Sequence, residues 1–380
     1  KAYDDNGNLI DQPGVQSSIQ GTGNFTSSPN PLREINSGNE ETRRYDVLAS
    51  VYAQVNPFEG LSIKSTFMPR FTRERTGRYY GVVLGQRNQD EAFQQNDEDL
   101  EYTWDNQITY NKTFNNDHHL NATLINSFYK TRFERIQVGV QNLPYNSEWY
   151  NIFTGGTLDK NNSLSAYNES GLISYAARVN YDYKGKYLVT GTIRYDGSSK
   201  LADKWASFPS FALGWRLSEE EFMKADWLSD LKARFSFGYS GNNNGISPYG
   251  SMQTPIANEL IWYDFGDGNA VSGLRPGYPV NPIITWEKTR ELNFGLDFGF
   301  FNQRLYGSVD IYDKLSDGLL MSRSLAIESG VASMTDNIGS VSNQGIEIAL
   351  NSTNIRTPNF QWTTSLNFAH NKNAIESLYG

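Results

Sequence analysis

The chain has 380 residues, a formal charge of −9 and no Cys. Lack of Cys excludes disulfides, Cys-ligated zinc and thiol nucleophiles, and the acidic balance disfavours nucleic acid as a partner. Mean hydropathy is −0.57 and no stretch approaches the roughly 20 apolar residues of a spanning helix, yet 23 Tyr, 21 Phe and 8 Trp fit either a large soluble β-sandwich or propeller or the aromatic girdles of a membrane barrel.

The chain starts at Lys1 with no charged-then-apolar leader and stops at Gly380 shortly after a strand-like run. It therefore reads as an interior part of a longer protein. Residues 1–44 are expected to form an extracellular loop region. Within it, Asp4-Asp5-Asn6-Gly7-Asn8 carries oxygen ligands at calcium-like spacing. The run lacks a terminal Glu, and turn chemistry explains it with fewer assumptions.

From 45 to 373 the dominant signal is period two, which gives each strand one apolar and one polar face. Tyr45, Val47, Ala49, Val51, Ala53 and Val55 alternate with Asp46, Ser50 and Gln54 in one run from 45 to 55. Leu61, Ile63, Phe67 and Phe71 oppose Lys64, Thr66 and Arg70. The rhythm returns at 102–110, 175–183, 187–195, 231–239, 292–300 and 360–368, with weaker members near 120–130, 208–217, 305–313 and 346–350. Most runs have about 9–12 residues, matching a tilted strand across a bilayer better than the soluble mode of about 5–6. Val47, Val189, Phe294 and Leu296 should face hydrocarbon, and Arg194 and Asp297 a wet lumen.

Connections alternate between short (56–60, 111–118, 184–186, 218–229, 301–303, 353–359) and long (72–100, 133–170, 197–207, 240–286, 315–343). Short periplasmic turns and long external loops are the signature of outer-membrane barrels. The segment 218–229 is a candidate short helix with Ser218 as N-cap and Glu221 at its third position. Residues 374–380 are expected to begin the next loop. The fold class is all-β: a transmembrane antiparallel up-and-down β-barrel, of which about twelve strands are present.

Enzymatic chemistry is thin. His118 and His119 are adjacent at a turn and point opposite ways on a strand, and His370 stands alone. No catalytic triad or zinc site is built from these. Asp264, Asp267 and Asn269 form a second weak calcium pattern that turn chemistry also explains. Glu219-Glu220-Glu221 reads as a solvated helix start, and 266–273 lacks the Lys and helix of a phosphate loop. Trp149, Tyr150, Trp262 and Tyr263 lie in long external loops and are the substrate-binding candidates; rings there also serve to pack loops.

Several stretches then resemble the SusC/RagA family of TonB-linked outer-membrane transporters. They include Gly185-Lys186-Tyr187-Leu188, Arg194-Tyr195-Asp196-Gly197-Ser198-Ser199, Gly214-Trp215-Arg216-Leu217 and Gly238-Tyr239-Ser240-Gly241-Asn242. Asn337-Ile338-Gly339-Ser340, Asn343-Gln344-Gly345-Ile346-Glu347 and the 362–373 strand extend the likeness over nearly the whole chain. The resemblance implies a barrel of about 22 strands with a plug domain, a SusD-like surface lipoprotein as lid, and TonB pulling on the plug to import oligosaccharides or peptides. It places the protein in the cell outer membrane, contacting outer-membrane lipid, with no enzyme activity and no obligatory cofactor. A plug and a TonB box are not among these residues, so energised transport is expected only of a longer chain. Two rival readings stand beside it: a SusC-like structural subunit of a larger outer-membrane assembly or secretion machine, and a soluble carbohydrate-active β-protein.

Overall fold

The computed structural model describes residues 3–9, 31–82, 89–144, 150, 153–252, 255–256, 262–264, 266, 270–272, 275–276, 280–326, 328 and 333–378. Helix α1 (Pro31–Ser37) opens on a Pro, whose missing N–H is one the first turn would leave unpaired anyway. Thirteen strands then form one sheet: β1 (Gly38–Leu48), β2 (Val51–Phe58), β3 (Leu61–Tyr80), β4 (Glu91–Phe114), β5 (His118–Gln141), β6 (Thr157–Tyr183), β7 (Tyr187–Ser198), β8 (Trp205–Arg216), β9 (Leu228–Asn242), β10 (Glu287–Phe300), β11 (Leu305–Asp317), β12 (Ser340–Thr357) and β13 (Phe360–Ser377). Neighbours follow chain order, and β1 and β2 share β3, so twelve places are filled. Among the described residues, no helix is long and apolar enough to cross a membrane.

The chain divides into two compact units, with β3 to β6 contributing to both: residues 1–50, 68–102 and 131–169 in the first, and 51–67, 103–130 and 170–380 in the second. In the first unit β1 pairs antiparallel with β3, Val47 opposite Phe71 and Glu40 opposite Arg78. Alternation puts Val47, Phe71, Arg73, Gly77 and Tyr79 on one face and Asp46, Arg70 and Glu74 on the other. A small core of Tyr79, Ala92 and Val140, with Leu143 and Phe153 against it, covers part of the first face.

The second unit is an antiparallel ladder from β6 to β13, joined at one end by tight turns. Asn115, Asn116, Lys184, Gly185 and residues 301–303 all take positive φ, the geometry that fits the twist of two facing strands. At the other end Leu201, Ala206, Phe208, Ile246, Ile284 and Trp286 bury one another. The Trp286 indole donates to Lys204 O at 2.9 Å.

The alternation expected from sequence is present. Val47, Val189, Phe294 and Leu296 are 60, 36, 58 and 39% exposed, so none lies in a dry interior. Arg194 bonds Asp196 and Ser174, and Asp297 bonds Arg234, on the opposite face.

Several boundaries differ from expectation. The run 45–55 is two strands: Ala49 donates to Pro69 O at 3.1 Å, but Pro69 has no N–H to return, and the ladder is interrupted there. Residues 38–44 are strand rather than loop. They carry no apolar alternation; ion pairs such as Arg78–Glu40 at 2.8 Å hold them to β3. Residues 374–377 likewise continue β13 instead of starting a loop. The long loops expected at 72–100 and 133–170 are largely strand, because β4 and β5 run 24 residues each, more than twice the about 9–11 a bilayer requires. The 218–229 helix is replaced by two 3-10 turns, Leu217–Glu219 and Glu221–Met223, without a side-chain cap. Ser218 Oγ instead donates to Asp230 at 3.3 Å.

Candidate functional site

The polar face of the second unit carries linked sets of ion pairs and amides among the described residues. Strand register lines up Gly214, Arg234, Gly295, Asp310 and Glu347 in one row across β8 to β12. Arg234 makes a two-pronged ion pair with Asp297 at 2.8 and 2.9 Å and reaches over β10 to Asp310 at 3.1 Å. That reach depends on Gly295: a Cβ there would lie 2.6 Å from the Arg234 guanidinium carbon and 2.7 Å from Asp310 Oδ1. Lys314 pairs with Glu291 on the same face at 3.3 Å. An amide ladder crosses β4 to β7: Thr190 Oγ1 donates to Asn180 at 2.9 Å, Asn180 to Asn121 at 3.0 Å, and Asn121 to Asn111. Asn111, Asn121, Asn180, Lys232, Arg234 and Asn293 line a groove of ≈ 670 Å³ on this face. It is dense in donors and acceptors that partner one another, among them the Thr113 hydroxyl 3.0 Å from His119 Nδ1. Such a wall suits a wet passage.

The polar face of the first unit is built from charges. Arg135 pairs with Asp97 at 2.8 and 2.6 Å, and Arg70 with Asp46 at 3.0 and 2.7 Å.

On the apolar side of the second unit, rings follow one another near the tight turns. His118 lies 4.8 Å from Tyr183, Tyr183 6.2 Å from Tyr187, Tyr187 6.3 Å from Trp215, and Trp215 6.5 Å from Phe222, centroid to centroid. Amphipathic rings at one level are what a membrane interface selects. Glu220 closes this belt. It accepts from the Tyr187 hydroxyl at 2.7 Å, the Trp215 indole at 3.1 Å and Lys186 Nζ at 3.3 Å. The Tyr187 hydroxyl, then the indole, then Lys186 hold its carboxyl below the usual range. In the acidic run 219–221, Glu219 and Glu221 are exposed, Glu221 pairing with Lys224 at 2.6 Å, and only Glu220 departs from the solvated reading.

The histidines point to opposite faces as expected: His118 Nδ1 is 2.6 Å from the Tyr181 hydroxyl and His119 Nδ1 3.0 Å from Thr113 Oγ1. Of the four aromatic candidates, Trp149 lies outside the described residues. Tyr150 is 5% exposed; its ring covers Gly77 and its hydroxyl donates to Glu41. Gly77 shares its face with Val47 and Phe71, so Tyr150 packs on the apolar side of the first unit. Trp262 and Tyr263 sit on a two-stranded ribbon opposite Ser272 and Val271. Asp4 folds its own turn, accepting from the Asn6 and Asn8 amides at 2.9 and 2.7 Å. Asp267 and Asn269 lie outside the described residues. No group of three or more His, Asp or Glu that could hold a metal occurs among the described residues.

Comparisons with known proteins agree on one family. The model for the TonB dependent receptor-like β-barrel matches residues 2–378. TonB-dependent receptor P26 of Formosa agariphila is 32% identical over 377 residues, 96% of this chain and 37% of that protein. TonB-dependent receptor SusC of Bacteroides thetaiotaomicron is 41% identical over 214 residues, 55% of this chain and 21% of that protein. The chain thus spans little more than a third of the first of these relatives. The RagAB peptide transporter superposes over 100% of this chain and 41% of its own, with TM-score 0.84 and 23% identity. The ferric citrate transporter FecA covers 90% of this chain and 44% of its own, with TM-score 0.52 and 12% identity. These two likenesses speak for the fold alone: a partial transmembrane β-barrel. The chain belongs to the TonB-dependent receptor-like β-barrel family, a group of receptors and transporters rather than enzymes.

Proposed function

We propose that this chain forms part of the barrel wall of a SusC-type outer-membrane importer. In this reading a SusD-like lipoprotein closes the external mouth. TonB acts through a plug elsewhere in the polypeptide, and the cargo is an oligosaccharide or peptide. The observation that carries it is the 41% identity to SusC across 214 residues. The polar face supports a wet passage, since its charges and amides occur in partnered sets. RagAB is named as a peptide transporter, which supports the peptide alternative by analogy of fold only. Trp149, Trp262 and Tyr263 remain the proposed ligand-contacting rings, because aromatic faces in loops stack on sugars and on peptide planes.

Co-purification tests the reading. Affinity-tagged full-length protein from outer membranes should bring down a surface lipoprotein in equal stoichiometry, and deletion of either gene should abolish growth on the same glycan or peptide mixture. Stoichiometric secretion or assembly subunits, with growth spared on every nutrient, would favour the structural-subunit reading instead.

A further inference from the structure

The apolar face of β10 to β13 changes character in steps that strand register makes explicit. One row is Leu296, Val309, Ile348 and Phe368, all apolar. The next is Phe294, Ile311, Ile346 and His370. Above it, toward the loop end, come Leu292, Asp313, Gln344 and Lys372, then Arg290, Leu315, Ser342 and Ala374.

These rows enclose a groove of ≈ 460 Å³ whose floor is Leu292, Phe294, Ile311 and Ile346 and whose rim carries His370 and Lys372. The floor is apolar and open; His370 stands level with Phe294, and the Lys372 ammonium one row, about 7 Å, beyond it. Asp313 does not neutralise Lys372, because it is already held by Gln344 Nε2 at 2.9 Å and Arg290 Nη2 at 3.3 Å. Among the described residues Lys372 has no carboxylate within ion-pairing distance, and Arg290 Nε is a buried donor without an acceptor. A surface that is apolar below, and that above carries Lys372 and Arg290 against the single carboxylate of Asp313, complements an anionic amphiphile.

We propose that this groove binds a phosphate-bearing lipid of the outer leaflet, with its chains along Phe294, Ile311 and Ile346 and its phosphate at Lys372 and His370. Charge complementarity selects the occupant. A second copy of the barrel would have to bury Lys372 against an identical cation, and a free anion would leave the apolar floor uncovered. The inference rests on the outer-membrane reading of the chain, which sets the loop end at the outer leaflet.

The test uses full-length protein inserted into phosphatidylcholine vesicles doped either with bis-phosphorylated lipid A or with the same lipid dephosphorylated. After mild detergent extraction, native mass spectrometry counts the lipid A retained. Wild type should retain the phosphorylated form selectively. Lys372→Ala should lower retention about fivefold, and Lys372→Glu with His370→Ala further, while Lys224→Ala, the same charge change in the opposite turn, should leave it intact. Equal retention of the dephosphorylated lipid, or unchanged retention in the Lys372 variants, overturns the proposal. So does inorganic phosphate binding as tightly as the lipid, or a dimer that excludes lipid from this face. If the protein fails to float with the vesicles at all, the membrane reading falls together with the site; flotation with unselective retention sinks the site alone.

Discussion

Arg234 faces two carboxylates from neighbouring strands, Asp297 and Asp310. Removing the cation would leave two like charges a strand apart with nothing between them. Loss of one partner of an enclosed pair costs several kcal/mol, an exposed pair less than one. These side chains are about a third exposed or less, so Arg234→Ala is expected to destabilise the barrel by about 1–3 kcal/mol. Replacing Arg234, Asp297 and Asp310 together by apolar residues should cost less than the single change, because no charge is orphaned. Gly295→Ala should act in the same direction as Arg234→Ala, since the added methyl occupies the line between guanidinium and Asp310. Denaturant midpoints of the full-length protein in micelles would check this ordering. A Gly295→Ala midpoint equal to wild type would show that the reach over β10 contributes nothing.

The strands show where sequence is informative and where it is silent. Period two was legible in β7, β9 and β10 because one face must be apolar; in Val189, Phe235 and Phe294 that demand leaves a mark on alternate positions. Strands β4 and β5 continue through Asp97, Glu134 and Arg135 with charges on both faces, and there the pattern vanishes although the ladder does not. Nothing in periodicity reports a strand that is wet on both sides; only its cross-strand pairs do, and those need the register. Tyr150 illustrates the same limit at the candidate site. A loop Tyr looks alike whether it meets ligand or packs over a Gly, and only the position of Gly77 on the apolar face decides. The faces also make unequal demands on substitution. Leu296 and Asn293 lie on neighbouring turns of the pleat in β10 but on opposite sides. Leu296→Arg should cost about 2–4 kcal/mol and Asn293→Arg well under half of that, read as folding free energy into vesicles. Equal penalties would mean that the two faces meet the same medium.

The height of the apolar band follows from β10 and β13, and it constrains the intact barrel. On β10 the apolar face runs ten residues, from Phe300 to Arg290; on β13 it runs twelve, from Phe360 to Lys372. At about 3.3 Å per residue and a tilt of about 40° these steps rise about 25–30 Å. Two strands of different sequence therefore arrive at similar heights, with aromatic residues at the lower edge and cations at the upper. A barrel with such a band pays for any mismatch by thinning or thickening the lipid, at fractions of a kcal/mol per Å. Summed around the barrel, that penalty is large enough to sort bilayers. Refolding yield of the full-length protein should accordingly peak in vesicles whose hydrocarbon thickness is about 25 Å and fall on both sides as acyl chains are shortened or lengthened. Extending the band on these two strands by Lys372→Leu with Arg290→Leu should move the optimum toward thicker bilayers. If yield were independent of chain length in both proteins, the agreement between β10 and β13 would reflect side-chain packing and not the membrane.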